Sequence, residues 1–105
     1  MNRVEGKTCI VTGGAVGIGH ACVQRLAEEG AAVAIFDRLD AEGEALANAI
    51  NHAGGKARYW HVDVTREADV AKAITEVADH FGGVDVLVNN AGISGSTKLT
   101  HEITE

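Results

Sequence analysis

The stretch Thr8-Cys9-Ile10-Val11-Thr12-Gly13-Gly14-Ala15-Val16-Gly17-Ile18-Gly19 decides how this chain is read. Thr8 to Val11 is a short β-prone run. From Ile18 to Glu29 the pattern is helical, with Ile18, Cys22 and Leu26 at i, i+4 and i+8 and Ala21 beside them. Between the two lies a glycine-rich turn, Gly13 to Gly19. A tight exit from a strand needs a residue that tolerates positive φ, which Gly13 supplies. Gly17 has no Cβ to keep an anion from its backbone, and Gly19 allows the helix to pack close to the strand. The free N–H groups and partial positive charge of the helix start then face a phosphate with no Lys or Arg in the loop. The spacing G-x-x-x-G-x-G differs from GxGxxG, and no Lys-Ser/Thr follows, so this is not a Walker loop. Alone, the turn fits a dinucleotide, another nucleotide-like ligand or a structural bend.

The same alternation continues outward. Ala32 to Phe36 is a second strand whose near-continuous apolarity predicts burial on both faces, as in a parallel sheet. Asp40 is expected to N-cap a helix over Ala41 to Ala53, with a stripe of Ala41, Ala45, Leu46, Ala49, Ile50 and Ala53. Ala57 to Val62 is a third strand. Thr65 is expected to cap a helix reaching Phe81, with Val70, Ala71, Ile74, Val77, Ala78 and Phe81 inward. Val84 to Val88 is a fourth strand. Gly30, Gly54-Gly55 and Gly82-Gly83 close the three helices. The tail from Ser94 to Glu105 is polar and helix-ambiguous. The order β-α-β-α-β-α-β predicts an α/β fold with a parallel sheet and right-handed crossover helices.

Composition removes several function classes. The chain has 105 residues, is 46% hydrophobic and has a mean hydropathy of +0.02, which suits one domain with a core. Its longest purely apolar run is Ala31 to Phe36, far short of the roughly 20 residues of a membrane helix. Fifteen Asp and Glu against nine Lys and Arg give a net charge of −6, which argues against binding along a nucleic-acid backbone. Two Cys without a CxxC, and five scattered His, predict neither a disulfide framework nor a metal site. Met1 to Lys7 has no apolar signal-peptide core, so a cytoplasmic protein is expected.

Three further elements fall at strand ends. Asp37 follows the second strand; its carboxylate can accept hydrogen bonds from ribose hydroxyls and repel a 2′-phosphate. Arg38 beside it pulls the other way. Asp63-Val64 follows the third strand, and Asn89-Asn90-Ala91-Gly92 the fourth. Together with the glycine turn, all lie at the carboxyl edge of the sheet, where open α/β sheets bind ligands.

In these residues the chain resembles the short-chain dehydrogenase/reductase family. Thr12 to Gly19 matches its TGxxxGxG loop, Asp37 its NAD-selecting acid, Asp63-Val64 its adenine-contacting pair and Asn89 to Gly92 its NNAG motif. The resemblance implies a Rossmann-like three-layer α/β/α fold with strand order 3-2-1-4. The first two helices are then on one face and the third on the other. It also implies NAD(P)-dependent hydride transfer between an alcohol and a ketone, with NAD favoured over NADP and no metal. The implied cofactor residues are Gly13, Val16, Gly17, Ile18, Gly19, Asp37, Asp63, Val64, Asn90, Ala91 and Gly92.

The family's catalytic Ser, Tyr and Lys are not carried over. The one tyrosine is Tyr59, and Asp63, not Lys, stands four residues later. Ser94 and Ser96 follow the NNAG motif directly, whereas the family's Ser comes after the next strand. Residues 1–105 are therefore expected to form a single dinucleotide-binding domain that stops after the fourth strand. That strand is then a bare edge with Leu87 exposed, inviting self-association. An alcohol or ketone substrate is expected only with a carboxy-terminal half supplied. The competing readings are a dinucleotide-binding module without turnover and, disfavoured by Asp63-Val64 and NNAG, an S-adenosylmethionine site.

Overall fold

The computed structural model describes residues 4–90 and the backbone of residues 100–103. Its elements are β1 (Thr8–Thr12), α1 (Gly17–Glu28), β2 (Ala32–Asp37), α2 (Asp40–His52), β3 (Lys56–His61), α3 (Glu67–Phe81), β4 (Val86–Asn89) and β5 (Thr100–Ile103). The sheet order is β3-β2-β1-β4-β5. The first four strands are parallel in the expected 3-2-1-4 order. The expectation of a bare fourth strand is corrected: β5 pairs antiparallel with β4, Val86 opposite Ile103 and Asn89 opposite Thr100. Thr100-His101-Glu102-Ile103 carries too little apolar alternation to announce a strand. Backbone pairing with the free edge of β4 is what gives it one.

The strands divide their side chains between two apolar layers. Cys9, Val11, Val33, Ile35 and Ala57 face α1 and α2, where they meet Val23, Leu46, Ala47 and Ile50. Ile10, Ala34, Phe36, Trp60 and Val62 face α3, where they meet Ala73 and Val77. The three-layer arrangement follows from the two-residue strand period, with the crossovers placing α1 and α2 on one side and α3 on the other. Phe36 is fully buried, and truncating so enclosed an aromatic to alanine costs about 3–5 kcal/mol.

Several helix faces differ from the sequence pattern. In α1, Ile18 is 73% exposed and Ala21 is exposed, while Val23 is fully buried. The inward line is Gly19 and Val23, rotated by one residue from the Ile18–Cys22–Leu26 line. In α2, Leu46 and Ile50 are buried as expected, but Ala41, Ala45, Ala49 and Ala53 are exposed, and Gly43 and Ala47 take the inner positions. Alanine is small enough to sit on either side, so a run of alanines does not fix a face. In α3, Val77 is buried and Val70, Ile74, Ala78 and Phe81 are half-buried; Ala71 is exposed and Ala73 replaces it.

Both expected side-chain caps are corrected as well. The N-cap of α2 is Leu39 and that of α3 is Arg66, neither bonded through its side chain. Asp40 and Thr65 spend their side chains elsewhere, as described below. The helix ends hold: Gly30, Gly54 and Gly82 have φ of 95°, 96° and 92°, the left-handed turn that glycine accepts without strain.

Candidate functional site

The carboxyl ends of β1 and β4 are stapled to each other. The Thr12 hydroxyl donates to Asn89 Oδ1 at 2.9 Å and accepts the Asn90 N–H at 2.8 Å. Asn90 Nδ2 donates to the Gly13 carbonyl at 3.2 Å. That carbonyl is thereby held against α1: a Cβ built on Gly19 would lie 1.9 Å from Gly13 O and 2.8 Å from Asn90 Nδ2. Only glycine fits there. The requirement joins the last glycine of the loop to the asparagine after the fourth strand, 71 residues later in the chain.

The loop itself turns as its glycines suggest. Gly13 has φ +65° and Gly17 φ +62°, both in the left-handed region. Nothing lies within 4 Å of where a Gly17 Cβ would stand. Val16, extended, is the residue before the helix, and its carbonyl accepts from His20 N–H at 3.2 Å. By helix geometry the amides of Gly17, Ile18 and Gly19 have no carbonyl one turn back. Helices α2 and α3 each carry two acids in their first turn, Asp40 and Glu42, and Glu67 and Asp69; α1 carries none. Its positive end is uncompensated by its own first turn. Val16, Ile18 and Leu39 are the exposed large hydrophobics among the described residues, and all three stand at this edge of the sheet.

Asp37 faces the loop from the end of β2. Its Oδ2 accepts the Ala15 N–H at 3.0 Å, and its Oδ1 accepts the amides of Arg38 at 2.7 Å and Leu39 at 3.3 Å. The acid is thus a fixed part of the loop's wall. Gly13, Phe36, Asp37, Arg38, Val62, Asp63, Val64 and Thr65 line a cleft of about 260 Å³ between the ends of β1, β2 and β3.

Asp63 forms the opposite side of that cleft. Its Oδ1 accepts both the Thr65 N–H at 3.0 Å and the Thr65 hydroxyl at 2.6 Å. Thr65 therefore completes the Asp63 turn instead of capping α3. These two bonds are the main reason the Asp63 carboxyl is held below the ordinary range, with Arg38 and Arg66 adding to them. Arg38 Nη1 stands 3.7 Å from Asp63 Oδ2 across the mouth of the cleft, with its side chain 68% exposed. The cation next to Asp37 is therefore directed at a carboxylate.

Of the residues singled out from sequence, Gly13, Asp37, Asp63 and Val64 line one cleft. Val16, Gly17, Ile18 and Gly19 form the adjoining helix start, and Asn90 anchors the loop from below. Ala91 and Gly92 lie outside the described residues.

A neighbouring group was not expected. The single Tyr59 hydroxyl proton is shared between Asp40 Oδ1 at 2.5 Å and the Asp37 carbonyl at 2.9 Å, and His61 Nδ1 lies 2.7 Å from that same carboxylate oxygen. This is where the Asp40 side chain goes in place of a cap, and the two contacts hold its carboxyl below the ordinary range. The one available signal was Gly43, a helix-breaking residue in the middle of α2. A Cβ there would stand 2.2 Å from the Tyr59 ring.

This geometry can be set beside known proteins. The model of the family described as short chain dehydrogenase matches residues 7–105. The chain belongs to that family. Among similar short-chain dehydrogenases is the 3beta-hydroxysteroid dehydrogenase of Mediterraneibacter gnavus, 38% identical over 105 residues, all of this chain and 38% of that protein. Another is the 2,5-dichloro-2,5-cyclohexadiene-1,4-diol dehydrogenase of Sphingobium indicum, 45% identical over 93 residues, 89% of this chain and 36% of that protein. Among solved structures, NAD+-bound xylitol dehydrogenase superposes with a TM-score of 0.81 at 40% identity, covering 86% of this chain and 35% of the other. A dehydrogenase/reductase from Sinorhizobium meliloti gives 0.81 at 43%, covering 84% and 35%. This short-chain dehydrogenase chain thus spans little more than a third of the length of these relatives. No helix among its described residues is long and apolar enough to cross a membrane.

Proposed function

We propose that these residues form the cofactor-binding part of a nicotinamide-dependent oxidoreductase, with NAD favoured over NADP. The observation that carries this reading is the placement of Asp37. It meets the glycine loop at Ala15 and borders a cleft whose far wall is Asp63. On this reading the pyrophosphate lies on the amides of Gly17, Ile18 and Gly19 at the uncompensated start of α1. Asp37 would accept hydrogen bonds from the adenosine ribose hydroxyls, and Asp63 and Val64 would hold the base. Asp37 opposes a 2′-phosphate, and the Arg38 guanidinium that could offset this faces Asp63. Asn90 supports the loop from the β4 side, and Ala91 and Gly92 are assigned to the cofactor from their place in the sequence motif. When bound, the dinucleotide would accept the hydride in its oxidised form or give it in its reduced form; these residues would bind and orient it.

The Ser-Tyr-Lys set of the family has no counterpart in residues 1–105, where Asp63, not Lys, stands four residues after Tyr59. We therefore assign these 105 residues no hydride transfer of their own. An alcohol or ketone substrate and a cytoplasmic setting belong to the same reading; self-association loses the ground expected for it, since β5 covers the edge of β4. NADH formation from a secondary alcohol by the purified 105-residue chain contradicts the absence of turnover. Gly17→Val tests the binding role, because it fills the open space over the loop. Calorimetry should show NAD+ binding lost in the variant; undiminished binding removes the phosphate from this loop.

A further inference from the structure

We infer that Tyr59 is a positioning residue for cofactor selection, holding Asp37 in place from beneath through its hydroxyl. The inference rests on the cofactor reading above. The Asp37 carbonyl receives two donors, the Val62 N–H at 2.9 Å and the Tyr59 hydroxyl at 2.9 Å. The first is the ordinary continuation of the β2–β3 ladder. The second comes from the face of the sheet covered by α2, and it reaches the very peptide whose side chain meets Ala15. Asp37 is thereby fixed at both ends: its carboxylate by three amides, its carbonyl by two donors.

The hydroxyl is itself held. Asp40 Oδ1 lies 2.5 Å from it, and His61 Nδ1 lies 2.7 Å from the same oxygen. The ring is seated where Gly43 leaves space, since any side chain at that position would begin 2.2 Å from it. Asp40 and Gly43 lie in the first turns of α2, and the segment from Asp37 to Asp40 is the whole connection between β2 and that helix. Tyr59 therefore ties the third strand to both ends of the connection that carries the selecting acid. Burial, and then the Asp40 carboxylate, push the phenol far above its ordinary range. The hydroxyl thus remains a proton donor throughout the pH range in which nucleotides are bound. Glycine inside a helix is destabilising relative to alanine. At Gly43 that cost is offset by a tyrosine whose ring needs the space.

Tyr59→Phe separates the strut from the packing, because the ring stays on Gly43 and only the hydroxyl is removed. The probes are ADP and 2′,5′-ADP, the adenosine halves of the two cofactors, titrated calorimetrically into the full chain. The expected result is a three- to tenfold weaker affinity for ADP, a narrowed preference for ADP over 2′,5′-ADP and an almost unchanged melting temperature. A purely structural role for Tyr59 would move the melting temperature and leave the preference intact, and that outcome overturns the inference. Gly43→Ala places a methyl 2.2 Å from the Tyr59 ring, shifts the hydroxyl off the Asp37 carbonyl and should narrow the same preference. If Tyr59→Phe does not fold, Gly43→Ala decides alone, and an unchanged preference there overturns the inference. Failure of the wild-type chain to bind ADP at all overturns the cofactor reading and this inference with it.

Discussion

Asp37 Oδ2 accepts the Ala15 N–H at 3.0 Å, so the acid after the second strand is bonded to the glycine loop after the first. The contact joins two parts of the chain that nucleotide binding needs at a fixed separation. It is not neutral toward a ligand: to receive ribose hydroxyls, Asp37 uses the acceptor capacity left by Ala15, Arg38 and Leu39. A carboxylate offers about four acceptor sites, and three are used. Asp37→Ala therefore removes a loop tether and, on the proposed reading, a ribose acceptor. Hydrogen bonds to charged groups contribute about 1.5–3 kcal/mol, so NAD+ should bind roughly 10- to 100-fold more weakly. NADP+ should lose less, since the repelling charge is gone too. Titration of the variant with both nucleotides checks this, and an equal loss for the two refutes the selecting role.

Gly19 and Gly17 make different demands, and substituting each with alanine separates them. At Gly19 the new methyl meets the Gly13 carbonyl at 1.9 Å, backbone that Asn90 holds in place. Overpacking of this kind costs about 1–3 kcal/mol. At Gly17 the methyl meets nothing, but φ +62° costs about 1 kcal/mol for an L-residue. Thermal melts should therefore rank Gly19→Ala as the less stable variant. Nucleotide titration should show that Gly17→Ala weakens binding beyond its stability cost. The opposite ranking in the melts would mean that the Gly13 carbonyl is free to move.

Cys9 should be inert while the protein is folded. The thiol is fully buried in β1, and its pKa is raised to about 11, first by burial and then by the Asp85 carboxylate. At neutral pH it should not react with a thiol reagent until the chain unfolds. The sign of the linked pH effect is fixed by the same shift. The folded state keeps the proton that the unfolded state releases near pH 9. The Cys9 contribution to stability is thus complete below pH 9 and is lost as the pH rises from there through about 11. Denaturant melts should show a loss of stability over that window that is smaller in Cys9→Ala, the remainder coming from Cys22 and Tyr59, whose protons are also held by burial. Rapid modification of Cys9 in the native protein at pH 7 would contradict its burial.

Much of the fold was legible because its signals are redundant. The second strand is apolar throughout because both faces are covered, and each helix stops at a glycine that accepts a left-handed turn. The helix faces were read less well where alanine predominates. Ala45 and Ala49 satisfy a helical stripe yet stand in solvent, and Gly43 satisfies none yet lies against Tyr59. The loop and strand-end residues were legible through their residue types, since turns and carboxylates at strand ends have few other uses. The links among them were not. Asp40 and Thr65 each suit a helix cap locally, but each finds a partner from another position: Tyr59 and His61 across the sheet for one, Asp63 for the other. Competition between a cap and another partner, across the sheet for Asp40 and two residues back for Thr65, cannot be resolved from spacing. The pairing of β5 on β4 is likewise a backbone event with little side-chain signature.

The central claim is that the Asp37 cleft and the start of α1 together bind a nicotinamide dinucleotide and prefer the form without a 2′-phosphate. Parallel calorimetric titrations of the unmutated chain with NAD+ and NADP+ test it most directly. The account predicts saturable binding of NAD+ at least tenfold tighter than that of NADP+, a difference of about 1.4 kcal/mol. Equal affinities, or tighter binding of NADP+, would contradict it.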